Sequence, residues 1–178
     1  LMLAIEQEYD ELNMAIKYFQ DTVMKLRYSS IPVIVAPHGM TLGGGCEMSL
    51  HADKVVAAAE TYTGLVEFGV GLIPAGAGTK EVARRVAELW AKDDVKMNRL
   101  RDAFINIAMA KVGTSAYEAF DLGYYQQGKD IVVVNKDRQI AVAKQHALQM
   151  VADGYTQPTP KSCYVLGRQA LGMFYVGT

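Results

Sequence analysis

Two short apolar runs flank a glycine-rich segment in this sequence, and this arrangement restricts the fold more than any other feature. Residues 31–36 and 54–59 are each short and rich in valine, isoleucine or alanine, as strands buried on both faces are, with Pro32 at the start of the first. Residues 46–52 allow a short helix between them. Strand, helix and strand in this order predict a right-handed parallel crossover.

Helices are predicted for most of the remaining chain. Apolar residues recur every three or four positions from Ile5 to Leu26, which predicts one amphipathic helix that packs on the core and ends before Pro32. Further apolar patterns predict helices at residues 80–92, 95–111 and 137–153 and a strand at 131–134.

The C-terminal part contains a short helix and then a linker. Ser115 and Glu118 form a capping-box pattern for a helix that ends at Gly123. We expect an extended linker at residues 155–160, whereas the apolar tail at 164–175 is ambiguous.

The composition is that of one globular domain, with 51% apolar and 21% charged residues among 178. There are 18 basic and 19 acidic residues and no run of like charge, so nothing in the charge pattern indicates a nucleic acid or a membrane as a partner. The two cysteines form no disulfide framework, and neither they nor the three histidines have metal-ligand spacing. We therefore expect a cytoplasmic protein without a metal.

The glycine-rich segments do not match phosphate-binding motifs. Gly39 and Gly44 have the spacing that opens a P-loop, but Gly45-Cys46 occupies the positions where that motif needs Lys and Ser or Thr. The Gly-x-Gly segments at residues 69–71 and 76–78 lack the third glycine of a dinucleotide fingerprint. These mismatches exclude both kinds of nucleotide site.

Two carboxylates lie in otherwise apolar and glycine-rich sequence, where an isolated charge is costly. Glu47 has a structural alternative, because an acid in the first turn of a helix is stabilised by the helix dipole. The alternative for Glu67 is a buried acid that backbone donors satisfy. If both lie in one pocket, their pKa values are separated or raised, which suits acid–base chemistry.

The segment PVIVAPHGMTLGGGCE at residues 32–47, followed by Glu67 and by Ile73-Pro74, resembles the crotonase (enoyl-CoA hydratase/isomerase) family. The similarity continues through residues 114–123 and covers about residues 31–152. It implies an α/β fold of the ClpP/crotonase type, a spiral of strand–helix–strand units. This chain would form the helix-rich C-terminal half of that fold.

The resemblance also implies roles for individual residues. The backbone N–H of Gly44 would bind the thioester carbonyl oxygen in an oxyanion hole, and Glu47 and Glu67 would hold one water against the C2–C3 double bond. Ala75 stands where the family often has a glycine whose N–H positions the water. Four residues are candidates for the acyl pocket, with core packing as their alternative role: Leu65, Phe68, Leu72 and Ile73.

Further expectations concern the polypeptide around this segment. Residues 1–153 are predicted to be a partial hydratase domain, and residues 154–178 a linker and the start of a C-terminal extension. The family's first half, which supplies the second oxyanion N–H and most of the adenine site, would lie upstream. The tail from Gly154 resembles fatty-acid oxidation proteins in which an NAD-dependent 3-hydroxyacyl-CoA dehydrogenase region precedes the hydratase, and residues 90–96 resemble an insertion.

The expected substrate is a coenzyme A thioester, with no cofactor bound by this segment. The expected assembly is a trimer-type homo-oligomer or packing on a dehydrogenase domain. Hydration of trans-2-enoyl-CoA is the favoured activity because both acids are present. The alternatives are double-bond isomerisation, thioester hydrolysis and a non-catalytic interaction or RNA-binding module, which the balanced charge disfavours.

Overall fold

Two small parallel sheets form the centre of the protein. The structure, a computed structural model, describes residues 2–90 and 96–177. One sheet has the strand order β1-β3-β5 and the other pairs β2 with β4. The strands are β1 (Ile34–Val35), β2 (Gly39–Leu42), β3 (Lys54–Ala58), β4 (Thr61–Gly64) and β5 (Ile131–Val133).

Helices surround both sheets. They are α1 (Met2–Ile5), α2 (Tyr9–Arg27), α3 (Gly44–His51), α4 (Gly78–Glu88), α5 (Lys96–Ala108), α6 (Ala116–Asp121), α7 (Gln139–Ala152) and α8 (Arg168–Gly177). Two 3-10 turns lie at Glu67–Val70 and Lys136–Arg138. In the part of the chain that the structure describes, no helix combines the length and the apolar character needed to cross a membrane.

The predicted crossover is present, because β1 and β3 pair in parallel with α3 between them in the chain. The prediction that residues 31–36 form a strand buried on both faces is wrong. Only Ile34 and Val35 are in a strand, and both are half-buried because β1 lies at the edge of its sheet. The sequence interpretation also missed the second sheet, since Gly39–Leu42 is a strand and not part of the glycine loop.

The predicted N-terminal helix is interrupted. Gln7 has a φ of 61°, which separates α1 from α2, and Ile5 and Tyr9 are exposed instead of packed in the core. The end of α2 at Arg27, before Pro32, is as predicted. Residues 91–95, which include the start of the predicted helix at 95–111 and most of the predicted insertion, lie outside the described residues.

The other helix predictions are confirmed within a few residues at each end. Ser115 caps α6 by accepting a hydrogen bond from the Glu118 N–H at 3.2 Å, and Gly123 follows with a φ of 79°. The Glu118 carboxylate, however, bonds to Thr114 and not to the cap residue. The ambiguous tail contains α8, which begins at Arg168.

A buried core joins α3, β3 and α6. Its fully buried members are Cys46, Leu50, Val55, Ala57, Leu65, Ala116, Ala119, Tyr124 and Tyr125. Buried side chains also bridge the elements: Gln139 of α7 donates to the carbonyl oxygens of Pro37 at 2.7 Å and Val56 at 2.8 Å. Asp130 accepts from the N–H of Val55 at 2.8 Å. These bonds satisfy backbone groups that would otherwise be buried without partners.

The predicted linker is tied to the body of the protein. Tyr155 donates its hydroxyl proton to Asp53 or to the carbonyl oxygen of Ser29, which lie 3.0 and 3.2 Å away. Gln157 donates to the carbonyl oxygen of Tyr28 at 2.7 Å. Residues 155–167 contain neither helix nor strand, as expected of a linker. The division of the chain at residue 153 stays a prediction.

A buried charge cluster joins α2 to α4. The carboxylate of Glu81 is fully buried and lies 3.1 Å from Arg27, 2.6 Å from Arg84 and 3.4 Å from Arg85. Burial opposes ionisation of Glu81, but the hydrogen bond from Arg84 and the charges of Arg27 and Arg85 outweigh it and lower its pKa to about 2. The cluster therefore depends on Glu81 remaining ionised.

We predict that Glu81→Gln destabilises the fold by about 3–5 kcal/mol at pH 7, because it leaves the buried guanidinium group of Arg85 without its paired carboxylate. Since the folded pKa lies below the unfolded value, this contribution is complete above about pH 4.5 and is lost as the pH falls toward 2. Urea unfolding at a series of pH values measures both effects.

Glu88→Gln is the matched control for Glu81→Gln. Glu88 pairs with the same Arg84 but is half-exposed, so its loss should cost less than about 1 kcal/mol. Equal losses in the free energy of unfolding for the two variants would contradict the proposed importance of the buried cluster.

Candidate active site

The two candidate glutamates follow the carboxyl ends of two paired parallel strands. Leu42, the last residue of β2, is paired with Gly64, the last residue of β4. Glu47 lies five residues beyond the first strand end, in the first turn of α3, and Glu67 lies three residues beyond the second. Because parallel strands end at the same edge, the pairing brings both acids to one side of this sheet.

Glu47 is buried, and its side chain is only 3% exposed. Its Oε1 accepts a hydrogen bond from the Gly78 N–H at 2.8 Å. Burial raises the pKa of Glu47, the Gly78 hydrogen bond opposes this rise, and the nearby charge of Glu67 adds to it. A Cβ atom on Gly76 would overlap Glu47 Oε2, so this glycine is needed for the carboxylate to fit.

Glu67 differs from Glu47 because part of its carboxyl group has no partner. Its Oε2 is buried and has no hydrogen bond within the residues that the structure describes. Burial raises the pKa of Glu67, although the backbone N–H groups of Glu67 and Val66 oppose the rise. A buried oxygen without a partner is rare and is suited to accept a proton or a hydrogen bond from a ligand.

The Gly44 N–H lies at the start of α3, where helix geometry gives it no acceptor within the helix. The preceding Gly43 has a φ of 53°, which favours glycine, and its N–H donates to the Gly64 carbonyl oxygen at 2.9 Å. The Glu67 Oε1 is 3.1 Å from the position that a Cβ of Gly43 would take. The N–H group, the helix dipole and Glu67 therefore lie next to one another.

Two residues of α2 support the loop that holds Glu47. Gln20 donates to the Ala75 carbonyl oxygen at 2.6 Å. The ring of Phe19 packs against Gly76 and Gly44, so that a Cβ on Gly76 would overlap it. Neither residue was recognised from the sequence, because the apolar spacing of α2 indicates core packing alone.

The Ala75 N–H, predicted to position water, donates to the Ile73 carbonyl oxygen at 2.7 Å. It would have to give up or share this bond to hold a water molecule. Ala77, two residues later, has a φ of 78°, a left-handed conformation that is strained for alanine. The Gly78 N–H beyond it is the donor that Glu47 uses, and the Gly-x-Gly spacing before α4 was the available signal for this role.

The four acyl-pocket candidates are not in one place. Phe68 and Ile73 line an apolar cavity between α4 and α5, whereas Leu65 is fully buried in the core. Leu72 does not line that cavity. The role of these residues in binding an acyl group stays a prediction.

His51 lies one helical turn after Glu47 and is buried, as a packing residue is. Its Nδ1 is 2.7 Å from the Glu47 carbonyl oxygen, and its Nε2 is 3.0 Å from Lys80 Nζ. Since a carbonyl oxygen can only accept, Nδ1 carries the proton and Nε2 accepts from Lys80. Burial lowers the pKa of His51 to about 4, so the ring is neutral at pH 7.

These features form a candidate acid–base site: the buried carboxylate of Glu47, the partly buried carboxylate of Glu67 and a helix N-terminus at the ends of paired parallel strands. The enoyl-CoA hydratase/isomerase family model matches residues 3–103. A Bacillus subtilis protein described as a probable 3-hydroxyacyl-CoA dehydrogenase is 40% identical over 177 residues, which make up 99% of this chain and 22% of that protein.

Two hydratases are also similar to the chain. Methylglutaconyl-CoA hydratase of Homo sapiens is 39% identical over 72 residues, which make up 40% of this chain and 21% of that protein. The crystal structure of an enoyl-CoA hydratase from Polaromonas sp. JS666 has a TM-score of 0.65 and 25% sequence identity, over 85% of this chain and 52% of that chain.

The chain therefore belongs to the enoyl-CoA hydratase/isomerase family and has the α/β crotonase fold, as predicted. It spans about half of the solved hydratase, 52%, and about a fifth of the Bacillus subtilis protein, 22%.

We predict that the stability of the Glu67→Gln variant, measured relative to the wild type, increases as the pH rises. The raised pKa means that the folded state binds more protons than the unfolded state above about pH 4.5, so ionisation at higher pH costs stability in the wild type. The variant lacks this cost. Urea unfolding at several pH values gives the difference in the free energy of unfolding, variant minus wild type.

Glu60→Gln, which makes the same change at an exposed residue, is the control for Glu67→Gln. A difference for Glu67→Gln that stays flat or falls with pH would show that Glu67 carries no burial penalty.

Proposed function

We propose that this chain provides the catalytic acids for reversible syn hydration of trans-2-enoyl-CoA to 3-hydroxyacyl-CoA in fatty acid β-oxidation. The observation that carries the proposal is the pairing of Leu42 with Gly64, beyond which the buried carboxylate of Glu47 and the partly buried carboxylate of Glu67 lie beside a helix N-terminus. Hydration needs two acid–base groups on one side of a double bond, together with a donor for the thioester oxygen. Glu47 and Glu67 would be the two acid–base groups, and Gly44 would be the donor.

In the proposed reaction, the oxygen of one water molecule bonds to C3 as a carboxylate removes a proton from it. The C2–C3 π electrons move toward the thioester, whose carbonyl oxygen becomes enolate-like. The second carboxyl group delivers a proton to C2, so that the elements of water are added and no cofactor is consumed. The raised pKa values of both glutamates bring them closer to neutral pH, where they exchange protons efficiently.

The Gly44 N–H would stabilise the developing negative charge on the thioester oxygen. This donor binds the enolate-like oxygen more strongly than the ground-state carbonyl, so it lowers the barrier and does not merely hold the substrate. The second donor of the oxyanion hole would come from residues upstream of Leu1.

The proposal extends to the longer polypeptide that would contain this segment, its assembly and its location. The similarity to a probable 3-hydroxyacyl-CoA dehydrogenase supports a longer polypeptide in which an NAD-dependent dehydrogenase region precedes the hydratase. Within it, this segment would pack on that region or form a trimer-type homo-oligomer, which sedimentation distinguishes. A cytoplasmic location agrees with the paucity of cysteine, two residues in 178.

We predict that Glu47→Gln and Glu67→Gln in the full-length protein each lower kcat for hydration by about 10²–10⁴-fold, because an amide cannot exchange the proton. Loss of the conjugated enoyl-thioester absorbance measures the rate. The exposed Glu60→Gln should keep the wild-type rate.

A variant that carries both substitutions tests whether the two carboxylates act together. If both carboxylates act on one water, Glu47→Gln with Glu67→Gln should be little slower than the slower single variant. A full rate in either single variant would exclude the two-acid mechanism. Mass spectrometry identifies the reaction: a gain of one water supports hydration, an unchanged mass indicates isomerisation, and release of free coenzyme A indicates thioester hydrolysis.

We predict that Gly44→Pro lowers kcat about 10²–10³-fold, because proline is tolerated at the first position of a helix but has no N–H to donate. Gly44→Ala is the matched control, since it keeps the N–H. Its Cβ would lie 3.2 Å from Phe19 Cζ and requires only a small shift of that ring. Equal rates for the two variants would contradict the oxyanion role of this group.

A further inference from the structure

An apolar cavity of about 230 Å³ lies between the 3-10 turn, α4, α5 and α8. Thr79 is the only one of its twelve described lining residues whose side chain carries a polar atom. The Thr79 hydroxyl lies 3.5 Å from the Pro74 carbonyl oxygen, to which it donates. Such a cavity favours an apolar occupant and offers almost nothing to hold water.

The cavity adjoins the candidate active site. Phe68, in its wall, directly follows Glu67 in the chain. Pro74 and Thr79, also in the wall, flank the loop of residues 75–78 that holds Glu47. An acyl group with C2 and C3 at the two carboxylates would therefore have this apolar space close to its C4 atom.

Two aromatic rings form the part of the wall that lies on α5 and α8. The centroids of Phe104 and Phe174 are 4.6 Å apart, with an interplanar angle of 39°. Phe174 is the only described lining residue from α8. Its ring therefore closes a space that α4 and α5 would otherwise leave more open.

We propose that this space, the tail cavity, takes the alkyl tail of the thioester and that Phe174 and Phe104 limit its length to medium-chain acyl groups. A methylene group occupies about the volume of a water molecule, roughly 30 Å³, so the cavity holds about seven or eight of them. With C1 to C3 outside it, the preferred acyl group has about ten or eleven carbons. This inference rests on the proposed hydratase function.

The first test is a chain-length profile of the full-length protein. Each methylene that enters the cavity should raise kcat/KM about fourfold, the fold-change that corresponds to about 0.8 kcal/mol, until the cavity is full. We expect kcat/KM to rise from four-carbon to ten-carbon enoyl-CoA and to fall for sixteen carbons. A flat profile or a preference for sixteen carbons would overturn the proposal.

The second test enlarges the cavity with one variant and fills part of it with another. Phe174→Ala removes the closing ring and should raise kcat/KM for the sixteen-carbon substrate relative to the eight-carbon one by about tenfold. Ala108→Leu fills part of the space and should lower the eight-carbon value about tenfold relative to the four-carbon value. Tyr175→Ala, on the exposed side of the same helix, is the matched control and should leave the profile unchanged.

The four-carbon substrate separates this inference from the proposed function, since its tail hardly enters the cavity. Absence of hydration at every chain length from four to sixteen carbons would reject the hydratase function, and titration with saturated acyl-CoA of four, eight and sixteen carbons would then test the cavity by binding alone. Normal four-carbon hydration with profiles unaltered by Phe174→Ala and Ala108→Leu would reject the tail cavity and leave the hydratase function intact.

Discussion

The parallel pairing of β2 with β4 is the constraint on which the candidate site depends. It brings Leu42 opposite Gly64, and the Gly43 N–H continues the pairing by donating to the Gly64 carbonyl oxygen. Both strands end at this point, and the backbone then turns, after β2 into α3 and after β4 toward the 3-10 turn. The positive φ of Gly43 permits the first turn, and its lack of a side chain leaves room for Glu67. The strand ends therefore determine where both carboxylates lie.

The buried Glu81 and Glu47 and the partly buried Glu67 are of two kinds. Glu81 is surrounded by arginines, so its pKa is lowered to about 2 and its charge joins α2 to α4. Glu47 and Glu67 have few donors, and burial raises their pKa values. The first arrangement stabilises the ionised form and holds helices together. The second makes ionisation costly, and such under-satisfied groups are characteristic of acid–base sites and not of stabilising ones.

Local patterns in the sequence predicted most helices and β3 correctly, because apolar periodicity, the Ser115 cap and the glycines after α6 and α7 act within a few residues. The errors arose where distant contacts or local backbone conformation override the pattern. Gln7 adopts a left-handed conformation in the middle of a regular apolar spacing, and residues 39–42 form a strand only because β4 lies beside them. Neither effect has a signal in the neighbouring residues.

The sequence by itself determined the family and the candidate acids, since residues 32–47 carry the motif and a charge is unusual in such apolar surroundings. Only the tertiary structure decided how the two acids differ. The Gly78 N–H that reaches Glu47 comes from 31 residues away, and the loop that carries it is held by Gln20 from 55 residues away. Such contacts, like the closure of the apolar cavity by Phe174, depend on how helices pack and cannot be read from spacing along the chain.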